Sequence, residues 1–146
     1  MLHFTISIQG LNEAEALVGK VKKAVSELDS WLTDVGGYLK DFFENSVFES
    51  EGSVYGNVWS SLSPSYMAEK SVLYPGRGIL EASGNMRHSF EAMSGSDFLT
   101  ITNTSPLALY HQTGTYKMPQ RIIMQLDDTR ISKIVDMLKD HIQSYF

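Results

Sequence analysis

Residues 17–42 read LVGKVKKAVSELDSWLTDVGGYLKDF, with an apolar side chain at every third or fourth position. This spacing is that of one face of an α-helix. With Asn12 as a suitable N-cap, it predicts a long amphipathic helix over residues 12–48, kinked at Gly36-Gly37. We expect the apolar face to pack on the chain's own sheet; a coiled coil is the alternative, but the face lacks the Leu and Ile regularity of a zipper. The apolar positions are Leu17, Val21, Ala24, Leu28, Trp31, Val35, Tyr38 and Phe42.

Strand patterns flank this helix on both sides. Residues 2–9 alternate apolar and polar side chains, which predicts a half-buried strand that Gly10 ends. Two further strand-like runs border Ser94-Gly95-Ser96-Asp97, a composition that suits a tight turn, and predict a β-hairpin over residues 86–103. We expect a last strand over residues 120–126 and a helix over residues 128–144, capped by Asp127-Asp128.

The order of these elements indicates the fold class. Long loops over residues 49–85 and 104–119 contain a short helix that begins at Ser63-Pro64 and a helical turn near Pro106. Because helices and strands do not alternate one for one, we predict an α+β fold. In it, a small antiparallel sheet packs against a long N-terminal helix and a C-terminal helix, with long irregular loops. The 146 residues are expected to form a single domain, residues 1–146.

Composition excludes several classes of protein. The chain has no cysteine, which rules out disulfides, thiolate catalysis and sulfur-ligated zinc. No apolar run approaches the length that spans a bilayer, so we expect no membrane association and synthesis in a cytoplasm. A net charge of −5 argues against general nucleic-acid binding. However, the acid-free residues 98–126 hold His111, Lys117 and Arg121, so weak contact with DNA is the alternative.

Two motifs of enzymes are nearly present, but each lacks one required residue. Gly52 and Gly56 have the spacing of a nucleophile elbow, but Val54 stands where serine is needed. Gly76-Arg77-Gly78 begins like a dinucleotide loop, but Glu81 stands at the third glycine position. We therefore predict no enzyme and no cofactor.

The four histidines are not spaced as metal ligands, so we predict no metal site. His111, in a glycine-bounded loop, is the strongest candidate for a general base. With no nucleophile or carboxylate specified nearby, its ring nitrogens are expected to bind loop backbone groups instead.

The loops between residues 49 and 121 are rich in aromatic, glycine and amide residues, and such long loops usually carry function. We expect contact with other proteins. Tyr55 and Trp59 either cap the core or anchor an interface, and Arg77 and Arg121 either bind carboxylates of a neighbouring subunit or brace their own loops. The candidate interface residues are Tyr55, Trp59, Lys70, Arg77, Tyr110, His111, Gln112, Tyr116, Lys117 and Arg121.

The same loops carry an ordered series of short motifs. They are Glu51-Gly52, Trp59 with Leu62-Ser63, Lys70, Ile79-Leu80, Ser83-Gly84-Asn85-Met86, Tyr110 with His111-Gln112 and Gly114, and Met118-Pro119-Gln120-Arg121. In their order and spacing, over about residues 42–138, the chain resembles the virion morphogenesis family of tailed bacteriophages, also called tail completion proteins.

The resemblance implies a structural protein of the phage or prophage neck or tail end, made in the bacterial host cytoplasm and carried in the virion. It implies no turnover chemistry. It also implies a homo-oligomeric ring, with other head, neck or tail proteins as partners. A closed ring needs two complementary surfaces per subunit, and we expect the loops 55–77 and 110–121 to supply them.

Overall fold

The computed structural model describes residues 1–7 and 19–146. Its strands form one antiparallel sheet in the order β1-β3-β2, which with the long and C-terminal helices confirms the predicted α+β class. The predicted helix start at Asn12 and strand residues 8–9 lie outside the described residues. The strands are β1 Leu2–Ser7, β2 Phe90–Ser94 and β3 Phe98–Asn103. The helices are α1 Gly19–Ser26, α2 Leu28–Asp41, α3 Pro64–Leu73, α4 Ala108–Thr113 and α5 Asp128–Gln143.

The chain divides into two compact units. The first, here called the loop unit, comprises Met1–His3, Lys40–Glu91 and Thr102–Gln125. The second, the sheet unit, comprises Phe4–Leu39, Ala92–Ile101 and Leu126–Phe146. That the whole chain behaves as a single domain stays a prediction.

In the sheet unit, α2 packs on the sheet, as expected from its apolar face. Leu28, Leu32 and Val35 are buried on this face. At Gly36 the helix approaches β3 so closely that a Cβ would lie 2.9 Å from the Leu99 Cδ1 atom. The predicted kink at Gly36-Gly37 is wrong, because α2 is uninterrupted there and the glycine serves close packing instead.

The predicted continuous helix is instead interrupted at Glu27, between α1 and α2, and becomes irregular again after Asp41. After Asp41 the helix continues through a π-helical turn, Phe42–Ser46, and a last α-helical turn, Val47–Glu49. This continuation belongs to the loop unit, and its side chains form an aromatic core there. The ring centroids of Phe43 and Phe90 lie 5.9 Å apart, and those of Phe48 and Trp59 lie 5.4 Å apart, edge to face.

The C-terminal helix α5 begins where predicted. The Asp127 carboxylate accepts a hydrogen bond from the backbone N–H of Arg130 (3.0 Å) and caps the helix. Of its apolar residues, Ile134 is buried, whereas Ile131 and Val135 remain largely exposed. The helix reaches α1 through a hydrogen bond between His141 Nε2 and the Ala24 carbonyl oxygen, 3.0 Å apart.

Two strand predictions need correction. The predicted strand 120–126, which lies within the described part of the chain, forms neither strand nor helix. Its backbone groups bond mainly to side chains, as described below. The hairpin begins at Phe90 rather than residue 86, since the chain turns at Gly84 (φ +83°), where His88 N–H donates to the Gly84 carbonyl oxygen.

The short helix α3 has the predicted start, because the Ser63 hydroxyl accepts from the Tyr66 N–H and Pro64 occupies the first turn. The loop over residues 104–119 contains α4, a fuller helix than the predicted turn. Within the described ranges, no helix has both the length and the apolar character needed to cross a bilayer.

Candidate functional site

An amide side chain binds three backbone groups of the segment 120–126. Gln112, on α4, accepts hydrogen bonds at Oε1 from Ile123 N–H (2.9 Å) and Met124 N–H (3.0 Å). Its Nε2 donates to the Met124 carbonyl oxygen (2.7 Å). Gln112 thus bonds backbone groups that a neighbouring strand would bind if this segment were part of a sheet.

Trp59 and Tyr55 hold the same segment from another loop. Trp59 Nε1 donates to the Ile122 carbonyl oxygen (2.9 Å), and the Tyr55 hydroxyl accepts from Gln125 N–H (3.3 Å). Trp59 is buried, so it caps the core. Its ring lies beside Gly52, where φ is +84° and a Cβ would come within 2.5 Å of the indole. Glycine is therefore required at this turn.

Arg121 braces a neighbouring loop. Its Nε donates to the Ser60 carbonyl oxygen (2.9 Å) and its Nη2 to the Ser61 carbonyl oxygen (3.2 Å). Its backbone N–H donates to the His111 carbonyl oxygen (2.8 Å), which links α4 to the segment that follows. The guanidinium is buried in doing so.

Lys70 is the buried residue of α3, a helix whose other side chains are exposed. Its Nζ donates to the Gly78 carbonyl oxygen. An amphipathic helix normally buries an apolar stripe, but α3 is held through the aliphatic stem and ammonium group of this lysine. Its apolar residues are left on the surface.

Lys70 and Arg121 line one cavity of about 930 Å³, entirely within the loop unit. His111 and Lys117 line it too, together with hydroxyl and apolar side chains. None of the described residues that line it is acidic. The sequence predicted interface surfaces rather than a pocket, because residues 61–121 converge only through tertiary folding.

Burial and mutual repulsion shift the pKa values of these groups. Burial lowers the pKa of Lys70; the carboxylates of Glu81 and Glu51 act in the opposite direction, and the Arg121 cation reinforces the lowering. Burial also lowers the pKa of Arg121. For His111, burial first and Arg121 second lower the pKa below 6.5.

The His111 ring differs from expectation. Its Nδ1 is buried and has no hydrogen-bond partner among the described residues, so the predicted bond from this nitrogen to loop backbone is wrong. The residue acts through its backbone carbonyl oxygen, which Arg121 N–H binds. Across the described part of the chain, no three His, Asp or Glu side chains are grouped as a metal ion would require.

The lowered pKa of His111 predicts a pH effect on stability. Between the lowered folded pKa and 6.5, the unfolded chain binds a proton that the folded chain does not. Stability should therefore fall as the pH falls through this window. Between about pH 7 and about pH 5, the free energy of unfolding in urea should therefore fall less for His111→Gln than for the wild type. Equal losses in the two proteins would contradict this assignment.

Sequence reasoning missed an ion-pair cluster centred on Arg87. Its Nη1 binds Glu81 Oε1 (2.6 Å), its Nε donates to the Glu44 carbonyl oxygen (2.7 Å) and its Nη2 donates to Asn45 Oδ1 (3.0 Å) and Glu49 Oε1 (3.2 Å). The hydrogen bond to Glu81 raises the pKa of Arg87. The Ser83-Gly84-Asn85-Met86 motif ends one residue before Arg87, but the sequence did not indicate the partners of Arg87, which lie up to 43 residues away.

The remaining predicted interface residues are exposed. Arg77, Tyr110, Tyr116 and Lys117 lie on the surface, and Tyr116 is 92% exposed. The Lys117 ammonium lies 5.3 Å from the Tyr116 ring centroid. The exposed apolar residues of α3 were not among the predicted interface residues. Their irregular spacing, which places them on no single face of the helix, was the available signal that the helix would not bury them all. They are Tyr66, Met67, Val72 and Leu73.

Comparison with known proteins identifies the family. The model of the phage virion morphogenesis family matches residues 10–143, which include the cavity and every loop described above. Neither a curated protein nor a solved structure matches the chain. The family match agrees with the resemblance carried by the loop motifs. The chain therefore belongs to the phage virion morphogenesis family, with a structural or assembly role in a virion.

Proposed function

We propose that this protein completes the phage tail or joins the tail to the head by assembling into a homo-oligomeric ring at the neck or tail end. Other head, neck or tail proteins are its partners. The observation that carries the proposal is the exposed apolar area of α3 and of the loop around Tyr116, in a chain whose family builds virions.

The first surface is on α3. Met67, Val72 and Leu73 are 51%, 79% and 60% exposed, although the helix is well formed and capped. Large exposed apolar side chains that cluster on one element are typical of protein interfaces. We call these three residues the α3 surface.

The second surface is in the loop from Tyr110 to Lys117. Tyr110 and Tyr116 expose large aromatic rings, a residue type enriched at interfaces. We call these two residues the tyrosine surface. Two different surfaces on one subunit allow head-to-tail contacts, which close into a ring when the rotation between subunits permits.

The buried candidates have a different role. Trp59 and Gln112 are engaged inside the subunit, so they shape these loops rather than contact a partner, and Arg121 braces the loop of Ser60 from the cavity wall. Burial also removes Arg121 from any surface that duplex DNA could touch, which weakens the DNA-contact alternative. That alternative now depends on Lys117.

Assembly can be tested with charge substitutions on each surface. Val72→Asp and Tyr116→Asp should fold normally by circular dichroism, since both side chains are exposed. Each should reduce ring formation, measured by sedimentation velocity and negative-stain microscopy, and incorporation into particles by complementation of a phage lacking the protein. Because an apolar residue at the centre of an interface contributes about 1–2 kcal/mol, we expect about a tenfold loss of association.

Met93→Asp is the matched control. Met93 is 62% exposed but lies on β2 in the sheet unit, outside both surfaces. It should assemble as the wild type does. A wild-type chain that stays monomeric at every concentration and never enters particles would refute the proposal. Salt-sensitive binding of duplex DNA that Lys117→Gln abolishes would instead favour the DNA-contact role.

A further inference from the structure

The cavity of the loop unit contains two buried cations that form no ion pair with any residue that the structure describes. Lys70 and Arg121 are each 5% exposed. Among the described residues, neither makes an ion pair. The nearby carboxylates have other partners, since Glu81 binds Arg87 (2.6 Å) and Glu51 Oε1 accepts from Ile79 N–H (3.1 Å). The charges of Glu81 and Glu51 act on Lys70, but neither carboxylate pairs with Arg121, so the cavity keeps a positive charge that suits an anion.

Both cations also have donors to spare. The Lys70 ammonium has three N–H groups, and the Gly78 carbonyl oxygen accepts from one. Arg121 uses Nε and Nη2 for the Ser60 and Ser61 carbonyl oxygens, and Nη1 has no partner among the described residues. An oxyanion between the two side chains would satisfy donors that the chain itself leaves free.

The rest of the cavity indicates the kind of molecule that carries this anion. Apolar side chains of Leu62, Leu80, Met86, Leu107 and Met118 share the lining with hydroxyl groups. A volume of about 930 Å³ accommodates several side chains at once. The ligand should therefore present a carboxylate flanked by apolar groups, as an acidic protein segment does.

We propose that this cavity binds a carboxylate side chain from an acidic, apolar-flanked segment of a neighbouring protein in the particle, with Lys70 and Arg121 holding the carboxylate. The cavity is opposite in sign to the chain as a whole, which carries 17 acidic residues and a net charge of −5. Duplex DNA does not suit the site, because a phosphate on a rigid duplex cannot reach cations buried in a cavity wall, whereas a side chain can.

This inference rests on the proposed function in one respect, because the acidic segment is taken to come from a neighbouring protein of the assembled particle. Binding itself can be measured on the isolated chain. The probe is the fluorescein-labelled peptide Leu-Asp-Glu-Leu-Phe with blocked ends, compared with Leu-Asn-Gln-Leu-Phe. By fluorescence anisotropy, the wild type should bind the acidic peptide at least about tenfold more tightly than the amide peptide. Added salt should weaken the binding.

Variants test the location of the site. Lys70→Met and Arg121→Met should abolish the preference for the acidic peptide, but each removes bonds that support folding. Leu107→Glu avoids this difficulty, because Leu107 lines the cavity yet is 55% exposed. Its carboxylate should compete for the cations and weaken peptide binding about tenfold, whereas Leu107→Gln should bind within about threefold of the wild type.

Three results would overturn the proposal. They are equal affinity for the two peptides, acidic-peptide binding that Leu107→Glu leaves unchanged, and displacement of the peptide by a duplex oligonucleotide that binds more tightly. Normal incorporation into particles without peptide binding would remove this inference and leave the proposed function standing. Peptide binding by a chain that never enters particles would support the binding site and refute the proposed function.

Discussion

Replacement of Arg87 by methionine should destabilise the protein by about 2–3 kcal/mol, less than the about 3–5 kcal/mol that removing one partner from a fully buried ion pair costs. The Arg87 and Glu81 side chains are 17% and 12% exposed, and their 2.6 Å contact is the shortest ion pair described in the chain. Without Arg87, the Glu81 carboxylate would lose its hydrogen-bonded partner in a part-buried site. The Glu44 carbonyl oxygen in the π-helical turn would also lose its donor.

Urea unfolding followed by circular dichroism would measure this loss. Arg77→Met is the matched control, because Arg77 is exposed; it should change the unfolding free energy by less than about 0.5 kcal/mol. The double variant Arg87→Met, Glu81→Leu should recover much of the stability, since it removes both charges rather than one. A loss below about 1 kcal/mol for Arg87→Met would show that the cluster is only a surface ion pair.

Replacement of Gln112 by leucine should cost about 2–4 kcal/mol, because two backbone N–H groups lose their acceptor and one carbonyl oxygen loses its donor. The residues affected, Ile123 and Met124, are buried, so water cannot readily replace the amide. Leucine has a similar volume, which keeps the packing change small. The loss should therefore report the hydrogen bonds rather than a cavity.

Urea unfolding measures the total loss, and amide hydrogen exchange locates it. In Gln112→Leu, the amides of Ile123 and Met124 should exchange much faster, while those of β3 should change in proportion to global stability. Gln120→Leu is the control: Gln120 is exposed and makes one side-chain hydrogen bond, to the Gln112 carbonyl oxygen (2.9 Å). Unchanged exchange at Ile123 in Gln112→Leu would mean that other contacts hold the segment.

Short sequence patterns correctly predicted the helices that are defined by residues close together in the chain. The apolar spacing of Leu28, Leu32 and Val35 predicted α2, and the caps at Ser63 and Asp127 predicted where α3 and α5 begin. Each of these signals depends on residues within one or two turns of one another, so it is visible in the chain order. The ordered loop motifs likewise predicted the family.

The predictions that failed depended on distant partners. Residues 120–126 have the composition of a strand, but strand formation needs a neighbouring strand, and here Gln112, Trp59 and Tyr55 take that place. The glycine at position 36 was interpreted as a kink because the sequence does not show that Leu99 packs against it. Propensity describes a residue's own backbone, and tertiary contacts can override it.

By itself, the sequence determined the α+β class, the positions of the main helices and hairpin, the absence of cysteine chemistry and the family. Only the tertiary structure decided that Lys70 and Arg121, 51 positions apart in the chain, line one acid-free cavity. It also decided that Arg87 pairs with Glu81, and that α3 leaves its apolar residues exposed. Periodicity and capping arise from neighbours along the backbone, whereas burial and charge pairing arise from residues that only folding brings together.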